Sequence, residues 1–338
     1  MSRRVRRRQR QQPRTLQVFL AVVLVLLTVC VLVKAFFLKA PEQKAAELPA
    51  QPAASDTDDS QQSREEQAAQ EALRSHLERK GGFYTILLSG LDDDNGGSDT
   101  NILVAVDTVN GYVYGVSIPR DSKAIIDGKA RKINYAYNKG GTALLASTVS
   151  EQLGIPVDYT VCVNLQGFTA LVDAIGGVDF EVPINMDYDD PIQGLSIHFK
   201  KGMQHLSGAD ALRVVRFRHN NDGTGYGSED LGRMQTQQKF LKAVAKKMLS
   251  FENLISNPRK YAEIFGQYVD TDLSVTDLAW FGMQVLGMGV DKIDFSTLPN
   301  EWKYPYIYLD PTETLTLVNT YLNPYVEDRT AEDLHLPS

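Results

Sequence analysis

Apolar positions fall into three regimes along the chain. Residues 16–38 are apolar except for Gln17, Thr28 and Lys34, a run of 23 residues. At roughly 1.5 Å per residue it makes about 35 Å of helix, long enough to cross a bilayer, so 16–38 is predicted to be a transmembrane signal anchor. It exceeds the apolar stretch of a cleaved signal peptide, and no clean Ala-x-Ala site follows it. From 40 to about 70 the chain is rich in Ala, Gln, Glu, Pro, Ser and Asp, with almost no large apolar side chain after Leu48. Such a segment cannot build a core, which predicts a flexible extracytoplasmic linker over 39–80, ending in a short helix over 71–80 that Gly81-Gly82 breaks.

The third regime alternates strand and helix patterns. Runs rich in β-branched and aromatic residues predict strands at 83–89, 102–107 and 112–118, with Asn110-Gly111 turning the last two into a hairpin. Apolar positions at helical spacing predict a helix over 142–153 that stops at Gly154. A strand at 159–164, a helix at 166–175 and a strand at 178–182 follow. That order implies an α/β layered core rather than an all-β body. Beyond it the pattern predicts a loop over 187–201, a short helix opened by Ser207, a run over 213–219, and a helix over 229–250. Further helices are predicted at 259–268, at 275–288 behind Ser274, and after Pro311. The alternating Trp302, Tyr304, Tyr306 and Tyr308 read as a strand with an aromatic inner face.

Charge changes the picture in two ways. Residues 1–39 hold nine cations and no acid, leaving 26 cations against 42 acids in the remainder. Seven arginines ahead of the span place residues 1–15 as a basic cytoplasmic tail and the body outside, by the positive-inside rule. The expected location is therefore the cell membrane, single-pass, with an extracytoplasmic domain. The acidic body argues against nucleic acid as a partner, because that affinity needs many phosphate contacts from Lys and Arg. Only Cys162 lies outside the span, so the body can form no internal disulfide and the thiol reads as a buried small apolar group.

No GxxxxGK[ST], GxSxG or HExxH occurs, which lowers nucleotide hydrolysis, serine hydrolysis and zinc proteolysis. Four polar groups stand out instead. Gly90-Leu91-Asp92-Asp93-Asp94 with Ser98-Asp99-Thr100 sets carboxylates on a loop between two strands, where oxygen ligands suit Mg²⁺ or Ca²⁺. Ile118-Pro119-Arg120-Asp121 ends a strand and presents Arg120 in a direction fixed by Pro119. Within 213–219, an extended chain would put Arg216 and Arg218 on one face, and their guanidinium forks match phosphate oxygens. Arg233 and Gln237 are neighbours on a helix face near its N-terminus, where an anion is favoured. Taken singly, each group also fits a bland role: a solvated turn, a surface ion pair, a charged edge strand, a polar helix face.

Together and in this order they resemble the LytR-CpsA-Psr family, whose members attach anionic glycopolymers to Gram-positive cell walls. The resemblance spans residues 83–249. It rests on Gly-Leu-Asp at 90–92, Ser-Asp-Thr at 98–100, Ile-Pro-Arg-Asp at 118–121, Lys-Ile-Asn at 132–134, Tyr-Asp-Asp-Pro at 188–191, Arg-Phe-Arg-His at 216–219 and Asp-Leu-Gly-Arg at 230–233. It implies a three-layer α/β/α sandwich with a mixed central sheet and an apolar groove for a polyprenyl chain. The catalytic domain would occupy 81–250, followed by a C-terminal helical extension over 251–338. The resemblance further implies that Asp92 and Asp99 bind Mg²⁺ and that Arg120, Arg216, Arg218, Arg233 and Gln237 hold a pyrophosphate. Arg120, Asp99 and Asp121 are the expected catalytic set, with the general base unassigned. The implied reaction moves a teichoic-acid-like or capsular glycopolymer from an undecaprenyl-pyrophosphate carrier to peptidoglycan. A polyprenyl-pyrophosphate phosphatase and a non-catalytic wall-associated scaffold remain the alternatives. Two places depart from the family pattern: Gly97 and Thr236 stand where many members carry a basic residue. The Gly-rich loop over 220–227 is also longer than usual.

Overall fold

The computed structural model describes residues 39–43, 77–91, 97–192, 194–227, 229–248 and 258–338. The expected tail, the span, Asp92 and most of the expected linker lie outside them. Among the described residues no helix is long and apolar enough to cross a membrane.

Among the described residues, fourteen strands and seven α-helices follow one another. The first strands are β1 (Phe83–Leu91), β2 (Ser98–Asp107), β3 (Tyr112–Ile118), β4 (Lys123–Ile126) and β5 (Lys129–Lys132). Helix α1 (Asn134–Leu153), β6 (Tyr159–Asn164), α2 (Leu165–Ala174), β7 (Val178–Val182), β8 (Met186–Asp190), β9 (Leu195–Phe199) and β10 (Gly202–Leu206) come next. Then come α3 (Gly208–Arg216), α4 (Glu229–Met248), α5 (Pro258–Tyr268), β11 (Val269–Thr271) and α6 (Val275–Met288). The chain ends with β12 (Ile293–Thr297), β13 (Asn300–Lys303), β14 (Tyr306–Leu309) and α7 (Pro311–Leu317).

Six strands form the central sheet in the order β11-β6-β1-β2-β3-β12. It is mixed: β1 runs antiparallel to β2 and parallel to β6, while β12 runs parallel to β3. Strand alternation sends side chains to two different cores. Phe83, Leu87, Leu103 and Val116 point to one face and meet Leu145, Val149 and Leu153 of α1. Tyr84, Ile86, Ile102 and Val104 point to the other and meet Trp280 and Phe281 of α6, with Leu241 of α4 beside them. Helices thus cover both faces of a mixed sheet, an α/β architecture.

The structure departs from the sequence reading in several places, among them residues 77–80, where Arg79 bridges to Tyr325 and no helix is formed. Residues 187–201 are not a loop: β8 and β9 pair across them, with Met186 and Ile197 buried among apolar neighbours. The charged residues on the outer face hide that alternation. The run over 213–219 is not extended throughout, because α3 continues to Arg216 and the chain leaves the helix at Phe217; Ala211, Val214 and Phe217, spaced by three, form its buried stripe. Residues 251–338 are not merely a helical extension. They supply β11 and β12, the two outer strands of the central sheet, and Val318 and Leu322 of the α1-side core. The aromatic run folds as the β13–β14 hairpin, in which Trp302 and Tyr304 are exposed rather than turned inward. Finally, Pro41 is buried, Tyr84 Oη and Tyr159 Oη donate to the carbonyls of Pro41 and Glu42, and Gln43 Nε2 donates to Lys80 O and Phe83 O at 2.9 and 2.7 Å. Burial pushes Tyr159 up to about 12, with nearby acids adding to the effect, so its phenol remains a donor. The first residues of the expected linker are therefore docked on the start of β1.

Candidate active site

Two of the residues singled out in the sequence, Asp99 and Arg120, meet at the other end of β1, where Gly90 pairs with Thr100. Pro119 cannot extend the ladder, so β3 stops at Ile118 and a turn follows, closed by Ser122 N donating to Pro119 O at 3.0 Å. That turn carries Arg120, whose Nη1 donates to Asp99 Oδ1 at 2.7 Å from the start of β2. Both side chains stay reachable by solvent, at 29 % and 40 % exposure. Asp121, one residue on, pairs with Lys132 Nζ at 3.0 Å rather than with a site arginine.

Arg216, Arg218, Arg233 and Gln237 come from α3, its exit and α4. Two adjacent glutamines fix α4 in place. Gln237 Nε2 donates to Val215 O at 3.0 Å, tying α4 to the turn of α3 that ends in Arg216. Gln238 Nε2 lies 3.0 Å from Ser117 Oγ, 2.9 Å from Ser296 O and 3.1 Å from Thr297 Oγ1, tying the same turn of α4 to the ends of β3 and β12. Ser117 stands three residues before Arg120, so these clamps bring the α3 exit, the N-terminal half of α4 and the Arg120 turn together. Buried Phe217 fixes the exit of α3, with Arg216 half-buried and Arg218 exposed on either side. Gln238 is the residue the sequence reading missed. Its only sequence signal is a run of amides on the helix, Gln235, Gln237 and Gln238.

The two departures from the family pattern have local causes. Gly97 adopts φ +98°, a region that side chains with a Cβ rarely enter, and a Cβ there would stand 3.4 Å from the Asn138 amide. Thr236 is buried beneath Tyr226, its Oγ1 3.1 Å from the phenol oxygen and 2.9 Å from Gly232 O. Tyr226 packs edge-on against Phe217 at 5.6 Å, and burial raises its phenol above the ordinary value. The long loop brings this ring over α4, and Asn220 and Asn221 hold the loop to the backbone of β8 at 2.7 and 2.6 Å.

Among the described residues no three His, Cys, Asp or Glu side chains form a metal-sized cluster. Mg²⁺ needs less than that when a phosphate is present, since it keeps water and takes one or two carboxylates with phosphate oxygens. Asp99, half-exposed at the sheet end, fits such a role; Asp92, its expected companion, lies outside the described residues. Cys162 is buried, and burial raises its thiol, in keeping with an inert packed sulfur.

Comparison with known proteins joins these observations. The model of the LytR_cpsA_psr family matches residues 49–323. TagV of Bacillus subtilis (strain 168), a polyisoprenyl-teichoic acid–peptidoglycan teichoic acid transferase, is 33 % identical over 241 residues, covering 68 % of this chain and 59 % of TagV. The crystal structure of B. subtilis TagV matches with a TM-score of 0.59 at 30 % identity, over 71 % of this chain and 96 % of that one. TagU of Bacillus mycoides (strain KBAB4), named as the same kind of transferase, is 40 % identical over 177 residues, 51 % of this chain and 55 % of TagU. A structure of TagT bound to LI-WTA matches with a TM-score of 0.55 at 26 % identity, over 70 % of this chain and 88 % of that one. The chain thus spans 59 % and 55 % of the length of these two curated relatives. With the matched segment running through the whole sheet and the arginine-bearing helices, this chain belongs to the LytR_cpsA_psr family.

Proposed function

We propose that this chain transfers a teichoic-acid-like or capsular glycopolymer from an undecaprenyl-pyrophosphate carrier to a peptidoglycan hydroxyl. The observation that carries this reading is the solvent-reachable Arg120–Asp99 pair at the end of the sheet, supported by the two glutamines that tie α4 to α3 and to the ends of β3 and β12. The names of TagV and TagU supply the donor and acceptor classes. In the reaction the acceptor oxygen attacks the sugar-linked phosphorus, the bond to the lipid phosphate breaks, and undecaprenyl phosphate leaves with the electron pair. The hydroxyl proton passes to a carboxylate or to water.

Phosphoryl transfer depends on positioning and charge neutralisation more than on covalent help. Arginine forks suit the equatorial oxygens of the transferring group and the leaving phosphate. Asp99, with Asp92, would hold Mg²⁺, which when bound neutralises phosphate charge. Asp99 also orients Arg120 through its 2.7 Å bond. The half-buried Phe168, Val215 and Tyr226 fringe the apolar cluster next to the arginines and suit an isoprenoid tail. The apolar run over 16–38 and its seven preceding arginines support an anchor with the N-terminus in the cytoplasm and the site outside, in the same membrane as the donor.

The test is a single-turnover assay of the full chain in nanodiscs with a lipid-pyrophosphate saccharide and a peptidoglycan oligomer, with and without Mg²⁺. Glycan should appear on the oligomer only with Mg²⁺, and Arg120→Ala should slow its appearance by about 10²–10³-fold, the usual loss on removing one transition-state donor. Free sugar phosphate as the only product would instead make the chain a phosphatase. Tight donor binding with no turnover would make it a scaffold.

A further inference from the structure

The β13–β14 hairpin carries aromatic side chains that the proposed reaction does not use, and its two faces differ. Register places Lys303 opposite Tyr306 and Glu301 opposite Tyr308 on one face, and Trp302 opposite Ile307 on the other. On the first face Tyr306 and Tyr308 are held against the body, while Glu301 and Lys303 stay open to solvent. Tyr306 Oη donates to Ala130 O at 3.1 Å, and the ammonium groups of Lys123 and Lys303 lie 4.9 and 5.7 Å from the Tyr308 ring. The hairpin is also joined to the turn that carries Arg120, since Ile307 N donates to Asp121 O at 2.9 Å and Leu309 enters the α1-side core. On this fixed base Trp302 is 54 % exposed and Tyr304, in the connecting turn, is 88 % exposed.

Aromatic rings held out on a rigid support bind with little loss of side-chain freedom. Pyranose rings present faces of C–H groups with slight positive charge, which pack on the negative face of an aromatic ring. Asn300, on the same face of β13 as Trp302, provides a polar group for sugar hydroxyls. Tyr and Trp also suit a bilayer interface, and position decides between the two. Residues 39–43, which follow the expected span directly, are fixed at the Lys80–Tyr84 end of β1 and on the face shared with α6. The hairpin stands at the opposite end of the sheet and on the opposite face. Along the nine residues of β1 those ends are about 26 Å apart at roughly 3.3 Å per residue.

We propose that Trp302 and Tyr304 form a platform for a glycan strand beside the Arg120 turn, facing the wall rather than the membrane. The transferase reading enters only in naming that strand as the acceptor. The full chain in nanodiscs is pelleted with purified peptidoglycan sacculi and, separately, floated with phosphatidylglycerol vesicles. The double variant Trp302→Ala/Tyr304→Ala should lower the sacculus-bound fraction at least about 10-fold, by the loss of two central aromatic contacts. The aromatic swap Trp302→Tyr/Tyr304→Trp should keep binding, which separates lost rings from a damaged fold. Unchanged sacculus binding in the double variant overturns the platform, as does loss of vesicle association alone or loss of binding in the aromatic swap. Sacculus binding that depends on the two rings, in a chain that transfers nothing, would instead sink the transferase reading and leave the platform standing.

Discussion

Arg79–Asp158 and Arg120–Asp99 are the same chemical pair at opposite ends of β1, and they are built to opposite ends. Asp158 is fully buried. Each of its oxygens takes a guanidinium N–H of Arg79 at 2.8 Å, and Oδ2 also accepts from Thr85 N at 2.9 Å and Thr85 Oγ1 at 3.1 Å. A bidentate fork supplemented by backbone and hydroxyl donors is what offsets the desolvation of a buried charge. Arg120 and Asp99 meet through Nη1 and Oδ1 at 2.7 Å with 29 % and 40 % of their side chains exposed, at the open end of the sheet. A phosphate oxygen can take the place of the carboxylate there, and none can reach Asp158. Burial and saturation of the carboxylate, rather than the presence of an ion pair, separate a structural pair from one poised for a ligand.

The largest effect expected on stability follows from the closed pair. Asp158→Ala leaves the Arg79 charge buried without its counter-ion and should cost about 3–5 kcal/mol in urea unfolding. Asp99→Ala, at the open end, should cost less than about 1 kcal/mol, as exposed pairs do, while the same variant loses transfer in the single-turnover assay. Equal losses of stability in the two variants would erase the distinction between the ends. A stable but fully active Asp99→Ala would remove the open pair from the site.

The two ends also differ in how far the sequence disclosed them. Strands β3, β6 and β7 and helix α6 were legible because each carries its own periodicity and stop signals, Ser274 with its capping box among them. At the site, the arginines and Asp99 were legible as charges in motif order. Their gathering was not, because it depends on Gln238 reaching Ser117 and Ser296 across 121 and 58 residues. The closed pair was invisible for the same reason: Arg79 and Asp158 are 79 residues apart, and Arg79 fell in a segment read as linker. The outer strand β11 is three residues long, too short for periodicity to mark it, and both β11 and β12 take their place in the sheet by pairing with β6 and β3. Local pattern thus reported elements that are stable by their own composition, and missed those completed by distant partners.

A third charged group extends the comparison to full exposure, where the smallest effect is expected. His198 on β9 faces Asp187 across the hairpin, with Nδ1 2.7 Å from Asp187 Oδ1 and Nε2 3.2 Å from Asp189 Oδ1. The hydrogen bond to Asp187 raises the imidazole above its ordinary value; desolvation opposes it, and the charges of Asp189 and Asp187 add to the rise. A raised folded-state value means that the folded protein holds the proton more tightly than the unfolded chain. The contribution is therefore complete below the unfolded value of about 6.5 and disappears as pH rises through the higher folded value. The difference in Tm between the parent and His198→Gln should accordingly be positive near pH 5.5 and shrink to nothing toward pH 8.5. Because all three side chains are open to solvent, about 0.5 M salt should flatten it. A histidine titration followed by NMR gives the folded midpoint directly. A midpoint at or below about 6.5 would show that the two aspartates do not act on the ring, and that pairing in this protein fades with exposure faster than the series from Asp158 to Asp99 implies.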